Sequence, residues 1–225
     1  MTDLEPSRQL HRSRLSDQVA GRIRDEVLTG RLRADAHISQ VDWAERLGVS
    51  RMPVRDAINQ LVAEGVLLQT KNGIATVAPL NTADVHDGYY LTAVLCSMTA
   101  KHAASRITPA ELESLAHIHE VMLACDPDDR TRLSELNWQF HAHINKASGA
   151  PRLLALLRTV STSIPNSAFL RVEDWPSHAL TQHSGILDAL RAADPALASD
   201  LMFKHIQQGS EPMLTEIDER LGIPS

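Results

Sequence analysis

Apolar residues in the first third of the chain fall at helical spacing twice and then switch to alternation. From Ser16 to about Leu28, the positions Ala20, Ile23 and Val27 share one side of a helix, with Gly30 just past its end. Ser39 is placed to cap a short helix whose inward positions are Val41, Ala44 and Leu47, and Gly48 stops it where a left-handed residue is needed. Val49 can fill the gap between this helix and the next, which Ser50 caps. The apolar positions of that next helix are Val54, Ala57, Ile58, Leu61 and Val62, the spacing of a helix with one buried face. Gly65 ends it. Val66 to Thr70 and Ile74 to Ala78 then read as two strands around a Lys71-Asn72-Gly73 turn. Leu32 to Ile38 reads as a connector. The order predicts a winged helix-turn-helix over residues 15–79, after a flexible arm, 1–14, that carries Arg8, Arg12 and Arg14.

Pro79 closes the wing, and from Thr82 onward the pattern is helical only. The predicted helices run from Thr82 to about Arg106, Pro109 to Leu123, Arg130 to Ala147, Pro151 to Val160, Pro176 or Ser177 to Ala192, and Pro195 to Gln208, with a last one capped by Ser210 and ending near Leu221. Thr108-Pro109-Ala110-Glu111 is a capping box with proline near the helix start. The fold class is therefore mostly α: an N-terminal winged helix-turn-helix followed by an all-α antiparallel bundle over residues 82–222.

The chemistry of the first segment points at DNA. Arg51, Arg55 and Asn59 are four apart, so they share another helix face and are free to point outward. The major groove of DNA admits one α-helix, and an arginine fork pairs with guanine edges or phosphate oxygens. Charge changes the picture in one respect. Residues 1–80 hold 11 Lys+Arg and 10 Asp+Glu, a net of +1; residues 81–225 hold 11 and 18, a net of −7. Contact with phosphate is thus expected from the first segment, through a few placed arginines and a second copy in a homodimer. The two cysteines, Cys96 and Cys125, form no metal or redox motif. No membrane-spanning stretch or signal core is visible, and a cytoplasmic location is expected.

The stretch WAERLGVSRMPVRDAI, Trp43 to Ile58, carries the LAERLGVSR-x-PVR pattern with a following acidic residue, and it resembles the GntR family of bacterial transcription regulators. The segments NWQFHAHINKASGAPRL, from Asn137, and QHSGILDALRAADPALASDLMFKHI, from Gln182, resemble the helical FCD effector domain of the FadR-type subfamily, in its shorter VanR-like branch. The resemblance covers roughly residues 16–210 and implies a homodimer on a double-stranded operator of two-fold pseudo-symmetry. It also implies a small-molecule effector, usually an organic acid, that shifts the dimer between shapes. Family DNA contacts fall here on Ser50, Arg51, Arg55 and the wing tip, Lys71 and Gly73, with Asn59 on the same helix face. A basic residue that some members carry early in the second helix corresponds to Val41, so that contact is absent.

Eleven histidines is a high count for this length. Read from the residues alone, His141, His183 and His205 are interior side chains with hydrogen-bond partners. The resemblance instead places them at FCD metal-ligand positions, and three imidazoles suit a divalent ion such as zinc or nickel. The usual fourth ligand, an aspartate, is Asn137 here, and a neutral amide is a weaker donor, so metal binding weaker than in typical members, or none, is expected. His117, His119 and His178 read as surface residues and His143 as facing away from His141, while His102 is a candidate for the cavity. The family arginine that holds an effector carboxylate corresponds to Thr92, and a nearby glutamate to Cys96; substitute anchors are Arg132, Arg158 and Arg171. Two other functions compete. One is a metal-dependent hydrolase with an accessory DNA-binding head, against which stands the absence of any H-E-x-x-H, G-x-S-x-G or P-loop motif. The other is a DNA-binding protein whose sensor domain has degenerated.

Overall fold

The computed structural model describes residues 15–28, 30–79, 82–161 and 175–221. The arm 1–14 and Arg171 lie outside the described residues. The chain divides into two compact units, one ending at Leu80 and the other beginning at Asn81.

The first unit contains α1 (Leu15–Leu28), β1 (His37–Ile38), α2 (Gln40–Leu47), α3 (Arg51–Ala63), β2 (Leu67–Gln69) and β3 (Ala75–Val77). Its sheet is antiparallel in the order β1-β3-β2, with Ile38 opposite Ala75 and Leu67 opposite Val77. Val19, Ala20, Ile23 and Val27 of α1 pack with Val54, Ala57, Ile58 and Leu61 of α3, closed below by Leu67, Ala75 and Val77. Ser39 caps α2 by accepting from the Asp42 amide, and Gly48 leaves it at φ 64°. Gly73 turns the wing at φ 78°, and Thr70 bonds across it by donating its amide to the Ile74 carbonyl.

Three expectations need correction in this unit. Val41 is 38% exposed, and Trp43 takes the inward place on α2. The two lie about 200° apart around a helix, so only one can face the core, and the larger apolar surface prevails. The Arg46 guanidinium then covers the Trp43 ring at 4.8 Å. Ser50 occupies the cap position of α3 but its side chain makes no cap hydrogen bond. Pro53, the third helical residue, removes one of the two amides such a bond could reach. Finally, the connector contains β1, a two-residue strand along β3, too short for any period to reveal.

The second unit is helical among its described residues: α4 (Thr82–Ala104), α5 (Pro109–Leu123), α6 (Arg130–Ala147), α7 (Pro151–Ser161), α8 (Trp175–Arg191) and α9 (Pro195–Leu221). α4 is the axis of the bundle, touching α6, α7, α8 and α9. It buries Val85, Tyr89, Ala93, Cys96, Ala100 and Ala103, a stripe of mostly small side chains that lets neighbours approach closely, while Leu91 and Met98 face outward. The capping box at Thr108 and Glu111 is formed as predicted. The expected break near Ser210 does not occur: α9 runs through it with Pro212 inside. Ser210 is buried, donates to the Gln207 carbonyl, and faces α4 together with Leu214. A proline removes a single helical bond, and packing along α4 holds the rest.

Phe140 is fully buried at the centre of this bundle and stacks on the His183 ring, centroids 4.1 Å apart. Phe140→Ala is expected to lower the unfolding free energy of the helical unit by about 3–5 kcal/mol, as a buried aromatic-to-alanine change does. A urea titration followed by circular dichroism checks this.

Candidate functional site

The first unit presents one side of α3 to solvent. Its buried row is Val54, Ala57, Ile58 and Leu61. Arg51, Arg55 and Asn59 are all exposed on the other side, as are Ser50 before them and Lys71 and Gly73 on the wing. Arg55 keeps 60% of its side chain exposed and makes only a long contact, 3.6 Å, to its neighbour Asp56. Two other arginines of this unit are engaged internally. Arg24 pairs with Glu64, and Arg46 holds both oxygens of the buried Glu26 carboxylate. Met52, 66% exposed in the first turn of α3, was not singled out from the sequence, because an isolated methionine beside a proline carries no pattern.

The second unit brings three of its histidines together. His141 of α6, His183 of α8 and His205 of α9 place their ring nitrogens within 4.8 Å of one another. His205 Nε2 lies 3.1 Å from His141 Nε2 and 3.2 Å from His183 Nε2. The Gln182 Oε1 accepts from His205 Nδ1 at 2.7 Å. Because an amide oxygen only accepts, the His205 proton sits on Nδ1, and its Nε2 lone pair points into the cluster. Burial pushes His141 down to about 4. It holds His183 and His205 well below the usual imidazole range, with the neighbouring rings adding to the effect. All three are therefore neutral near pH 7, the form that can donate lone pairs.

A divalent ion is tested by what surrounds this cluster. The Asn137 Oδ1 is buried with no hydrogen-bond partner and opens on the same cavity as His141 and His205. Three convergent neutral imidazoles and an unpaired amide oxygen are a donor set that fits such an ion. His141 Nδ1 and His183 Nδ1, however, are buried without partners, so only His205 is braced from behind.

The cavity has a volume of about 770 Å³ and lies among α4, α6, α7 and α9. Thr92 and Cys96 line it as expected; His102 does not, since it sits half-buried further along α4. Burial pushes the Cys96 thiol up to about 12, so it lines the wall as a small neutral group. Of the substitute anchors, Arg158 lines the cavity, whereas Arg132 pairs with Glu135 at the surface. Lys146, Tyr89 and Trp138, also in the lining, were not read from the sequence. His117 and His178 are exposed, and His143 stands apart from the cluster. His119 corrects the surface reading: it is buried against Phe140 and His183, with its Nε2 2.9 Å from the Ser184 hydroxyl. The residue two before it faces water, and the helix turn between them accounts for the difference.

Comparison with known proteins agrees with both units. Residues 15–77 match the family described as bacterial regulatory proteins, gntR family, and residues 87–208 match the FCD domain. A regulatory protein of Escherichia coli (strain K12) named for an L-lactate dehydrogenase operon is 32% identical over 219 residues, covering 86% of this chain and 84% of that protein. The Nta operon transcriptional regulator of Aminobacter aminovorans is 29% identical, covering 81% and 86%. The solved structure of E. coli McbR/YncC superposes with a TM-score of 0.74 at 21% identity, covering 91% of this chain and 99% of that one, a likeness of fold. No described helix is long and apolar enough to cross a membrane. The family is one of transcription regulators, which sets aside the hydrolase alternative. The chain belongs to the GntR family, joining the family's DNA-binding unit to an FCD domain, and is a ligand-responsive DNA-binding transcription regulator.

Proposed function

We propose that α3 enters the major groove of an operator and reads it with Arg51, Arg55 and Asn59, while Ser50 and the wing residues Lys71 and Gly73 meet phosphate. The observation that carries this reading is the division of α3: every large apolar side chain of its core row is buried and both arginines are outside. The Ser50 hydroxyl makes no cap bond, so it is free to donate to a phosphate oxygen at the helix N-terminus. Met52 offers an apolar contact for a thymine methyl. The protein works as a homodimer, since one α3 reads one half-site and family operators are pseudo-symmetric.

The cavity of the second unit takes a small organic acid or a related metabolite. Binding favours one dimer geometry and so biases the spacing of the two recognition helices; release from DNA, hence repression, is the proposed sense. That a relative is named for an L-lactate dehydrogenase operon, whose substrate is a small carboxylate, supports the ligand class. His141, His183 and His205, with Asn137 beside them, would hold a zinc or nickel ion, which supplies positive charge beside the cavity. Its binding is weak, because Asn137 brings no negative charge and two of the three rings lack a partner behind them.

Two measurements test these roles. Arg55→Ala should weaken operator binding by about 10- to 100-fold per half-site, the discrimination of one bidentate pair, and leave helix content and dimer mass unchanged. A gel-shift titration with unaltered affinity would remove α3 from the interface. Asn137→Asp should tighten zinc binding by about 10-fold or more in a calorimetric titration, as a carboxylate replaces an amide. Equal affinities in the two proteins would show that residue 137 does not face the ion.

A further inference from the structure

Within the cavity just assigned to the effector, the polar groups are unevenly placed. The arginine that the family uses as a charge anchor on α4 is Thr92 here, and Thr92 is 94% buried, with its hydroxyl lacking any hydrogen-bond partner. A buried, unpaired hydroxyl facing a cavity of about 770 Å³ is a group waiting for a polar ligand atom. The cations of the lining are Arg158, on the last turn of α7, and Lys146, on the last turn of α6. α7 packs directly against α4, so Arg158 reaches the cavity from the helix beside Thr92.

Arg158 and Lys146 are not equivalent. Lys146 lies in the field of Glu111, whose carboxyl is held low first by its bonds to Thr108 and in smaller part by this ammonium. Neither Arg158 nor Lys146 forms an ion pair with any described residue, although Arg132, Arg191 and Lys204 in the same unit each do. A guanidinium also matches a carboxylate with two parallel hydrogen bonds, which an ammonium cannot.

We infer that Arg158 is the carboxylate anchor of this regulator, moved from α4 to α7, and that Thr92 hydrogen-bonds a hydroxyl or carbonyl oxygen next to that carboxylate. The ligand class is then a small 2-hydroxy or 2-oxo monocarboxylate. This rests on the reading of the cavity as the effector site.

The test uses the full chain and four probes of one carbon skeleton: butyrate, 2-hydroxybutyrate, 2-oxobutyrate and butyramide, titrated calorimetrically and followed by thermal shift. The parent protein should bind the two oxygenated acids more tightly than butyrate and should not bind butyramide. Arg158→Met should weaken the acids by roughly 10- to 100-fold, and Arg158→Lys should retain part of that loss. Lys146→Met should change affinity by less than about 3-fold, since an exposed ammonium offers a carboxylate no parallel pair of hydrogen bonds. Thr92→Val should abolish the preference for the oxygenated acids over butyrate and spare butyrate itself. Unchanged binding by Arg158→Met, a larger loss from Lys146→Met, or tight binding of butyramide would each overturn the anchor while leaving the effector cavity standing. Failure of all four probes to bind the parent protein would overturn the effector reading of this cavity, and the anchor with it.

Discussion

The burial of one row on α3 is the constraint on which the regulator depends. Val54, Ala57, Ile58 and Leu61 pack against α1 with essentially no exposed surface. At a turn of 100° per residue, that packing directs positions 55 and 59 away from the core, and Arg51 stands exposed in the first turn. The arginines need no separate device to present them. Two neighbouring cations are tied to internal carboxylates, Arg24 to Glu64 and Arg46 to the buried Glu26, whereas Arg51 and Arg55 of α3 stay exposed. The +1 net charge of residues 1–80 is misleading when read as an average. Placement, not total, makes such a surface fit to meet phosphate and base edges.

In the helical unit the corresponding constraint is the narrow stripe on α4. Alanines at 93, 100 and 103 let α9 and its neighbours close in, and this brings His205 of α9 to His141 of α6 and His183 of α8. Desolvation then keeps all three rings neutral. Phe140 stacks on His183, and Gln182 holds the proton of His205 on the outer nitrogen, so the cluster is oriented by packing on one side and by a hydrogen bond on the other. Among the described residues no carboxylate stands within hydrogen-bond reach of these rings, which separates a cluster that can donate lone pairs from one already committed to an internal ion pair.

Local signals were legible in the sequence and long-range ones less so. Ser39, Gly48, Gly73 and the Thr108–Glu111 box act over three or four residues, and each is found where its chemistry placed it. The apolar row of α3 was equally plain, because it repeats at one period over three turns. What failed depended on partners distant in the chain. Val41 and Trp43 compete for one inward position, and only the shape of the core decides between them. Pro53 takes away one of the two amides that the cap at Ser50 could use, a clash between two signals that are each valid alone. His119 is buried because Ser184 and Phe140 lie across from it, and no spacing records that. α9 continues through Ser210 and Pro212 because α4 lies alongside. The three histidines were named through a family resemblance; their spacing along the chain would have left them as ordinary interior residues.

The two departures from the family pattern in the cavity belong together. Asn137 removes a negative charge that the resemblance leads one to expect, and Thr92 removes a positive one. Both positions nevertheless retain a polar atom that is buried and unpaired, Asn137 Oδ1 and Thr92 Oγ1. The remaining cations of the lining, Arg158 and Lys146, are solvent-exposed at their helix ends, where a charge is hydrated and costs little. The charge has thus moved from the floor of the cavity to its rim. A rim cation discriminates less sharply than a buried one, because water competes for it. Discrimination among ligands then falls to the unpaired hydroxyl and amide deeper in, where a mismatched partner leaves a polar group unsatisfied.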